Sequence, residues 1–156
     1  RQAKNGYMHQ RCMSILHTDD FRREYRGICD GVPQLPAGTI DLPISRQPGS
    51  LLKRSIDPDG LPSQTAYEVL SVSHGRALLR LRPVTGRTHQ LRLHMAAIGC
   101  PLTGDWLYGA EDKALIARPA LHSYELWLRH PLTKESLHIA APIPEDMLSL
   151  IKEEKL

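Results

Sequence analysis

Hydrophobic and polar positions along this chain fall into two periods. Residues 6 to 19 place Met8, Cys12, Ile15 and Leu16 at i, i+4, i+7 and i+8, opposite Gln10, Arg11 and His17, which predicts an amphipathic helix. Residues 23 to 29, REYRGIC, alternate and predict a strand, and the turn formers of DGVPQLPAG end it. GTIDLPI predicts a short strand, and SRQPGSLLKRSIDPDGLPS has the prolines and glycines of a long surface loop. TAYEVLSV and RALLRLRP flank SHG, the pattern of a β-hairpin with glycine where positive φ is needed. In the second of these strands Ala77, Leu79 and Leu81 face one way and Arg76, Arg80 and Arg82 the other. The first face is core; the second reads equally as a solvated surface or as a stripe turned toward RNA.

PVTGRTHQLRLHMAAIGC follows. Thr88 is a good N-cap, Leu91, Met95 and Ile98 recur at helical spacing, and Gly99 supplies a left-handed position just past the end, so His89 to Ile98 is predicted as a helix. Beyond CPLTGDWLYG come a strand in ALHSYELWL, a turn at HPLTKE, a strand in SLHIAAP and a closing helix from Pro144, with Glu145 and Asp146 in its first turn. The order α-β-β-β-β-α-β-β-α predicts an α+β fold, a mixed and largely antiparallel sheet with helices packed on it.

Length adds that residues 1 to 156 form one domain, large enough to bury about 70% of the surface its unfolded chain exposes. The three cysteines, Cys12, Cys29 and Cys100, are widely spaced and form no CxxC, which argues against a disulfide framework or a four-cysteine zinc site and for a reducing, cytoplasmic setting. The apolar runs are far shorter than the roughly 20 residues of a membrane span. Lysine and arginine number 20 against 17 acidic residues, a balance that permits an RNA partner without demanding one. The chain opens on arginine, and RQAKNGYMHQ reads like the interior of a fold, so it is expected to be the later part of a longer domain.

Three kinds of chemistry can be weighed. His89 and His94 with Cys100 supply metal-ligand types, but positions i and i+5 lie about 140° apart on a helix, so the two rings cannot share an ion, and no HExxH is present. Caps and polar packing are the expected uses of these histidines. TGRTHQ sets a glycine and main-chain N–H groups at a helix start, where an RNA phosphate could sit, yet the P-loop lysine and the GxGxxG pattern are both absent. No GxSxG elbow supports a serine nucleophile.

PVTGRTHQLRLHMAAIGCPLTGDWLYG resembles the signature of the RluA-type RNA pseudouridine synthases. The resemblance extends to AKN (3–5), FRREYRGICDG (21–31), GTIDLPI (38–44), QTAYEVL (64–70), RPALHSYELWLRHPLT (118–133) and APIPEDM (141–147), in the family's order and at about its spacing. It implies the catalytic-domain fold of that family, here without its N-terminal part. The implied reaction breaks the N-glycosidic bond of a uridine, turns the base and rejoins it through C5, with no metal or cofactor. The implied nucleophile is an aspartate in an HRLD motif followed by TSG; no such motif stands in this sequence, and its place would be just before Arg1. Tyr25 matches the family's active-site tyrosine, which lies against the target base. Arg92 matches the basic partner of the aspartate, able to hold a carboxylate bidentately and keep it ionised. Arg76, Arg80, Arg82, Arg87, Thr88 and His89 are the expected RNA contacts. A monomer acting on ribosomal or transfer RNA is expected; the alternative is a catalytically inactive RNA-binding or interaction module of the same fold. Lys134, Cys100 and Arg23 depart from the family pattern, Lys134 standing where glycine is usual.

Overall fold

The computed structural model describes residues 21–129 and 132–152; the helix predicted over residues 6 to 19 and the AKN stretch lie outside them. Among the described residues the elements are β1 (Phe21–Asp30), β2 (Ala37–Asp41), β3 (Ile44–Arg46), β4 (Arg54–Ile56), β5 (Gln64–Ser73), β6 (Arg76–Pro83), α1 (Gln90–Ala97), β7 (Leu121–Arg129), β8 (Ser136–Ala140) and α2 (Glu145–Lys152). Six strands form one sheet in the order β2-β5-β6-β1-β7-β8, and every neighbouring pair is antiparallel. This is the α+β architecture that the periodicities predict.

The β5–β6 hairpin turns through His74 and Gly75, with φ of 52° and 75°. Positive φ at both central residues gives a two-residue turn whose twist matches that of the flanking strands. In β6, Ala77, Leu79 and Leu81 are fully buried and join Leu91 and Met95 of α1 in one core. Leu78 points the other way and packs with Ile28 of β1 against Met147 and Leu150 of α2. The two helices therefore cover opposite faces of the sheet. The face opposite α1 is apolar at Leu78 and basic on either side of it, at Arg76 and at Arg80 and Arg82.

The stretch predicted as a long loop contains a two-stranded ribbon, β3 paired with β4 in the register Ile44↔Ile56, Ser45↔Ser55 and Arg46↔Arg54. Strands of three residues are too short to show a period in sequence, and here they are fixed by main-chain bonds. Ile44, nearly fully buried, exchanges hydrogen bonds with Leu61 at 3.0 and 2.8 Å, and Gln47 donates to the Lys53 carbonyl at 2.9 Å to close the ribbon.

The helix start also differs from expectation. Residue 89, rather than Thr88, is the N-cap, with φ 57° and ψ 19°, and no side chain caps it directly. That left-handed step leaves Thr88 exposed outside the cap position. The side-chain oxygen Oε1 of Gln90 takes over, accepting the Arg87 N–H at 3.1 Å and the Thr85 hydroxyl at 2.7 Å. At the far end Gly99 has φ 85° and its N–H bonds to Ala96, the left-handed ending that the sequence predicts.

Candidate active site

A cavity of about 260 Å³ opens where the start of β1 meets the 83–89 loop and α1, and Tyr25, Arg87, His89 and Arg92 all line it. Tyr25 reaches it because β1 is irregular: the register against β7 shifts between Glu24 and Tyr25, so that Tyr25 pairs with Ser123 while Glu24 pairs with Glu125. A bulge of this kind re-aims the side chain beside it. Tyr25 also stands opposite Leu81 of β6, which puts its ring on the α1 side of the sheet.

Arg92 projects from the first turns of α1 and is held by Asp105, a fully buried residue. Arg92 Nε donates to Oδ2 at 2.9 Å and Nη2 to Oδ1 at 2.8 Å, a bidentate pair. Oδ1 also accepts the main-chain N–H groups of Leu107 and Tyr108 at 3.0 and 3.1 Å. Burial alone would raise the Asp105 pKa, but the Arg92 hydrogen bonds and these two amides outweigh it and hold the carboxyl below the usual carboxylate range. Gly104 makes the position possible: its φ is 81°, and a Cβ there would stand 2.6 Å from the Arg118 carbonyl oxygen. Among the described residues Nη1 of Arg92 makes no hydrogen bond, so the outer edge of the guanidinium remains open to an anion.

His89 is oriented by Tyr108, whose hydroxyl lies 2.8 Å from Nδ1 and accepts the Arg54 main-chain N–H at 2.9 Å. The hydroxyl and Nδ1 share one hydrogen bond, whose donor is set by the tautomer of the ring. Burial, with the nearby charges of Arg92 and Arg54, lowers the His89 pKa and keeps the ring neutral. Deeper in, Gln90 Nε2 donates to the Gln64 carbonyl at 2.7 Å and to Thr65 Oγ1 at 3.0 Å. Thr65 Oγ1 lies 2.8 Å from His94 Nδ1, and His94 Nε2 lies 2.9 Å from the Leu42 carbonyl. His94 is thus a packing histidine whose partners differ from those of His89. Among the described residues no three His, Cys, Asp or Glu side chains stand together as a metal site.

The structure brings Tyr25, Arg87, His89 and Arg92 together and separates them from Arg80 and Arg82. Arg80 and Arg82 lie on the opposite face of the sheet, around the buried carboxylate of Glu24. Arg26 Nη1 is 2.7 Å from Glu24, Arg82 Nε is 3.2 Å and Arg80 Nε is 3.4 Å away, while Arg80 Nη1 also pairs with Glu68 at 2.7 Å. Burial would raise the Glu24 pKa, and the Arg26 and Arg82 hydrogen bonds together with the Arg80 charge bring it below the ordinary value. Arg76 stands at the hairpin end, 4.0 Å from Asp30. Thr88 lines a second cavity, with Arg46 and Arg54.

Sequence reasoning passed over Asp105, Glu24, Gln90 and Tyr108. The first two are acidic residues that become fully or almost fully buried, which no local pattern reports. A glutamine directly after a histidine in THQ is a weak signal of a side chain that reaches back to the preceding loop.

Residues 2–97 match the family model described as RNA pseudouridylate synthase. The chain is 40% identical over 152 residues to an uncharacterised RNA pseudouridine synthase of Bacillus subtilis (strain 168), YjbO, covering 97% of this chain and 53% of that protein. It is 37% identical over 163 residues to ribosomal large subunit pseudouridine synthase D of Escherichia coli (strain K12), covering 96% and 50%. The chain thus spans about half the length of the curated relatives it matches. In fold it is similar to human RNA pseudouridylate synthase domain containing 1, with TM-score 0.73 at 24% identity over 98% of this chain and 73% of that one. For human RNA pseudouridylate synthase domain containing 4 the TM-score is 0.75 at 22% identity, over 97% and 69%. On the family model and these relatives, the chain belongs to the RNA pseudouridylate synthase family.

Proposed function

We propose that this chain forms the uridine pocket of a cytoplasmic enzyme that isomerises a uridine of ribosomal or transfer RNA to pseudouridine. Tyr25 and Arg92, which come from a strand and a helix, meet in one cavity, and that meeting carries the reading. A target base stacked in RNA must be flipped out, at a few kcal/mol, and an aromatic ring on the cavity wall offsets that cost. At about 260 Å³ the cavity is smaller than the roughly 300 to 1,000 Å³ of drug-sized sites, a size suited to a single base.

In this reading the nucleophilic aspartate is carried outside these 156 residues and meets the open edge of Arg92, whose other edge Asp105 locks in place. The guanidinium keeps the incoming carboxylate ionised and aimed at the sugar. The bond from C1′ to N1 breaks, the base turns, C1′ joins C5, the C5 proton leaves and N1 takes up a proton. Tyr25 lies where it can support the turning base and take up a proton.

The test is release of tritium from RNA labelled at uridine C5 by the full-length protein. Release from ribosomal or transfer RNA, lost in Arg92→Ala with only a modest fall in RNA affinity, is the expected result. RNA binding without release would instead define an inactive module of the same fold.

A further inference from the structure

A second cavity, of about 310 Å³, lies beside the first and shares Gly86 and Arg87 with it. Its other walls come from the β3–β4 ribbon, through Arg46 and Arg54, and from Thr88. Three guanidinium groups from separate parts of the chain therefore line one opening. Arg46 and Arg54 are cross-strand partners, a placement in which two like charges repel unless an anion lies between or over them. Among the described residues none of the three forms an ion pair with a carboxylate. Arg87 is steadied by donating Nε and Nη2 to the Pro62 carbonyl at 3.1 and 2.8 Å, and Arg54 Nη1 donates to the Leu52 carbonyl at 3.3 Å. Asp57, the acidic residue bonded to this wall, turns one oxygen to the Ser45 hydroxyl at 3.0 Å and the other to the Asp59 N–H at 2.9 Å. By contrast, Arg80 and Arg82 on the far face of the sheet sit over carboxylates of this same chain.

We propose that Arg46, Arg54 and Arg87 form a subsite for an RNA backbone phosphate adjoining the nucleotide that sits against Tyr25. The proposal rests on the functional reading above. A base in the first cavity brings its own backbone across the Gly86–Arg87 rim that the two cavities share, and the next phosphate falls among the three guanidinium groups. The ribbon is coupled to the first cavity through the Arg54 main-chain N–H, which holds Tyr108 and through it His89. Phosphate contacts fix register without reading sequence, so this subsite positions the strand and leaves the choice of uridine to other contacts.

Binding of the full-length protein to a fluorescein-labelled RNA stem-loop with uridine in its loop is measured across a salt series, for wild type and for Arg46→Gln/Arg54→Gln. Both side chains lie outside the Tyr25 cavity, and the Arg54 main-chain N–H survives the substitution. For single-stranded contacts each lost phosphate contact removes about 0.7 from the slope of log K against log salt, so the double variant is expected to lose about 0.7 to 1.4 and to bind roughly tenfold more weakly at moderate salt. An unchanged slope and affinity in a variant that melts like wild type overturns the subsite. If the double variant does not fold, Arg46→Lys and Arg46→Glu replace it: the lysine keeps the slope and the glutamate lowers it, and equal slopes overturn the proposal. A wild-type protein that releases tritium while the variants bind normally leaves the functional reading standing and the subsite refuted. A wild-type protein that binds with the expected slope difference but releases none does the reverse.

Discussion

Arg92 on α1 and Asp105 in the loop after it are joined by two bonds of 2.9 and 2.8 Å in which the carboxylate is fully buried and the guanidinium only partly so. Asp105 therefore fixes the direction in which the open side of Arg92 faces. Asp105→Asn keeps the shape but leaves the guanidinium without its counter-charge, and should lower stability by about 2 to 3 kcal/mol in chemical denaturation. Turnover should fall far more than RNA affinity. Because the folded carboxyl is held below its ordinary pKa, its contribution is present above the unfolded value and is lost as pH falls through the folded one. The variant should accordingly lose part of the acid limb of the stability curve.

Tyr25→Phe removes the hydroxyl and keeps the ring. RNA affinity should hold within a few fold, since stacking is unaffected, while the single-turnover rate drops. A wild-type rate would confine Tyr25 to stacking.

His94 gives a second pH signature. Burial lowers its pKa despite the Leu42 carbonyl and the Asp41 charge, so the folded protein keeps it neutral where the unfolded chain takes up a proton. Stability from this residue is complete above the unfolded value and falls away as pH drops through the folded one. His89, lowered for a related reason, adds to the same trend. Melting temperature should fall between about pH 7.5 and 5.5, and His94→Gln should flatten that slope while lowering the whole curve.

Lys134 has φ 65°, in the region that favours glycine. Lys134→Gly should raise stability by about 0.5 to 1 kcal/mol, the relief of left-handed strain exceeding the entropy that glycine adds to the unfolded chain. A loss of stability in the melt would show that the lysine side chain contributes at this turn.

Glu24→Gln should be among the more damaging single changes on the sheet. It leaves Arg26, Arg80 and Arg82 crowded around a neutral amide, and a loss of about 3 kcal/mol or more is expected from denaturant titration. Arg82→Ala, at a side chain more than half exposed, should cost little by the same measurement.

The alternation Ala77, Leu79, Leu81 against Arg76, Arg80, Arg82 was legible in the chain because each residue keeps one face of a strand. What the arginines do on that face was not, since Glu24 and Glu68 reach them only once β1, β5 and β6 lie side by side. The helix ending at Gly99 could be read from one residue. Its start could not, because it depends on a left-handed His89 held by Tyr108 from 19 residues away. The ribbon arginines escaped notice for the same reason: Arg46 and Arg54 belong to a stretch whose strands are too short to reveal a period. Motif resemblance pointed to Tyr25 and Arg92, and the bulge after Glu24 supplies the bend that directs Tyr25 into the cavity.

The polar thread from Gln90 through Thr65 and His94 to the Leu42 carbonyl has a single workable direction of donation. Apolar contacts between α1 and the sheet would tolerate a small slide or twist of the helix, because leucine and methionine surfaces have no handedness of charge. A one-way relay has no such tolerance: any turn of α1 that moved Gln90 or His94 off its partner would strand a donor or an acceptor inside the protein. The helix is in effect clocked by its hydrogen bonds, and the bearing of Arg92 depends on Thr65 and His94, which do not line the cavity where it acts.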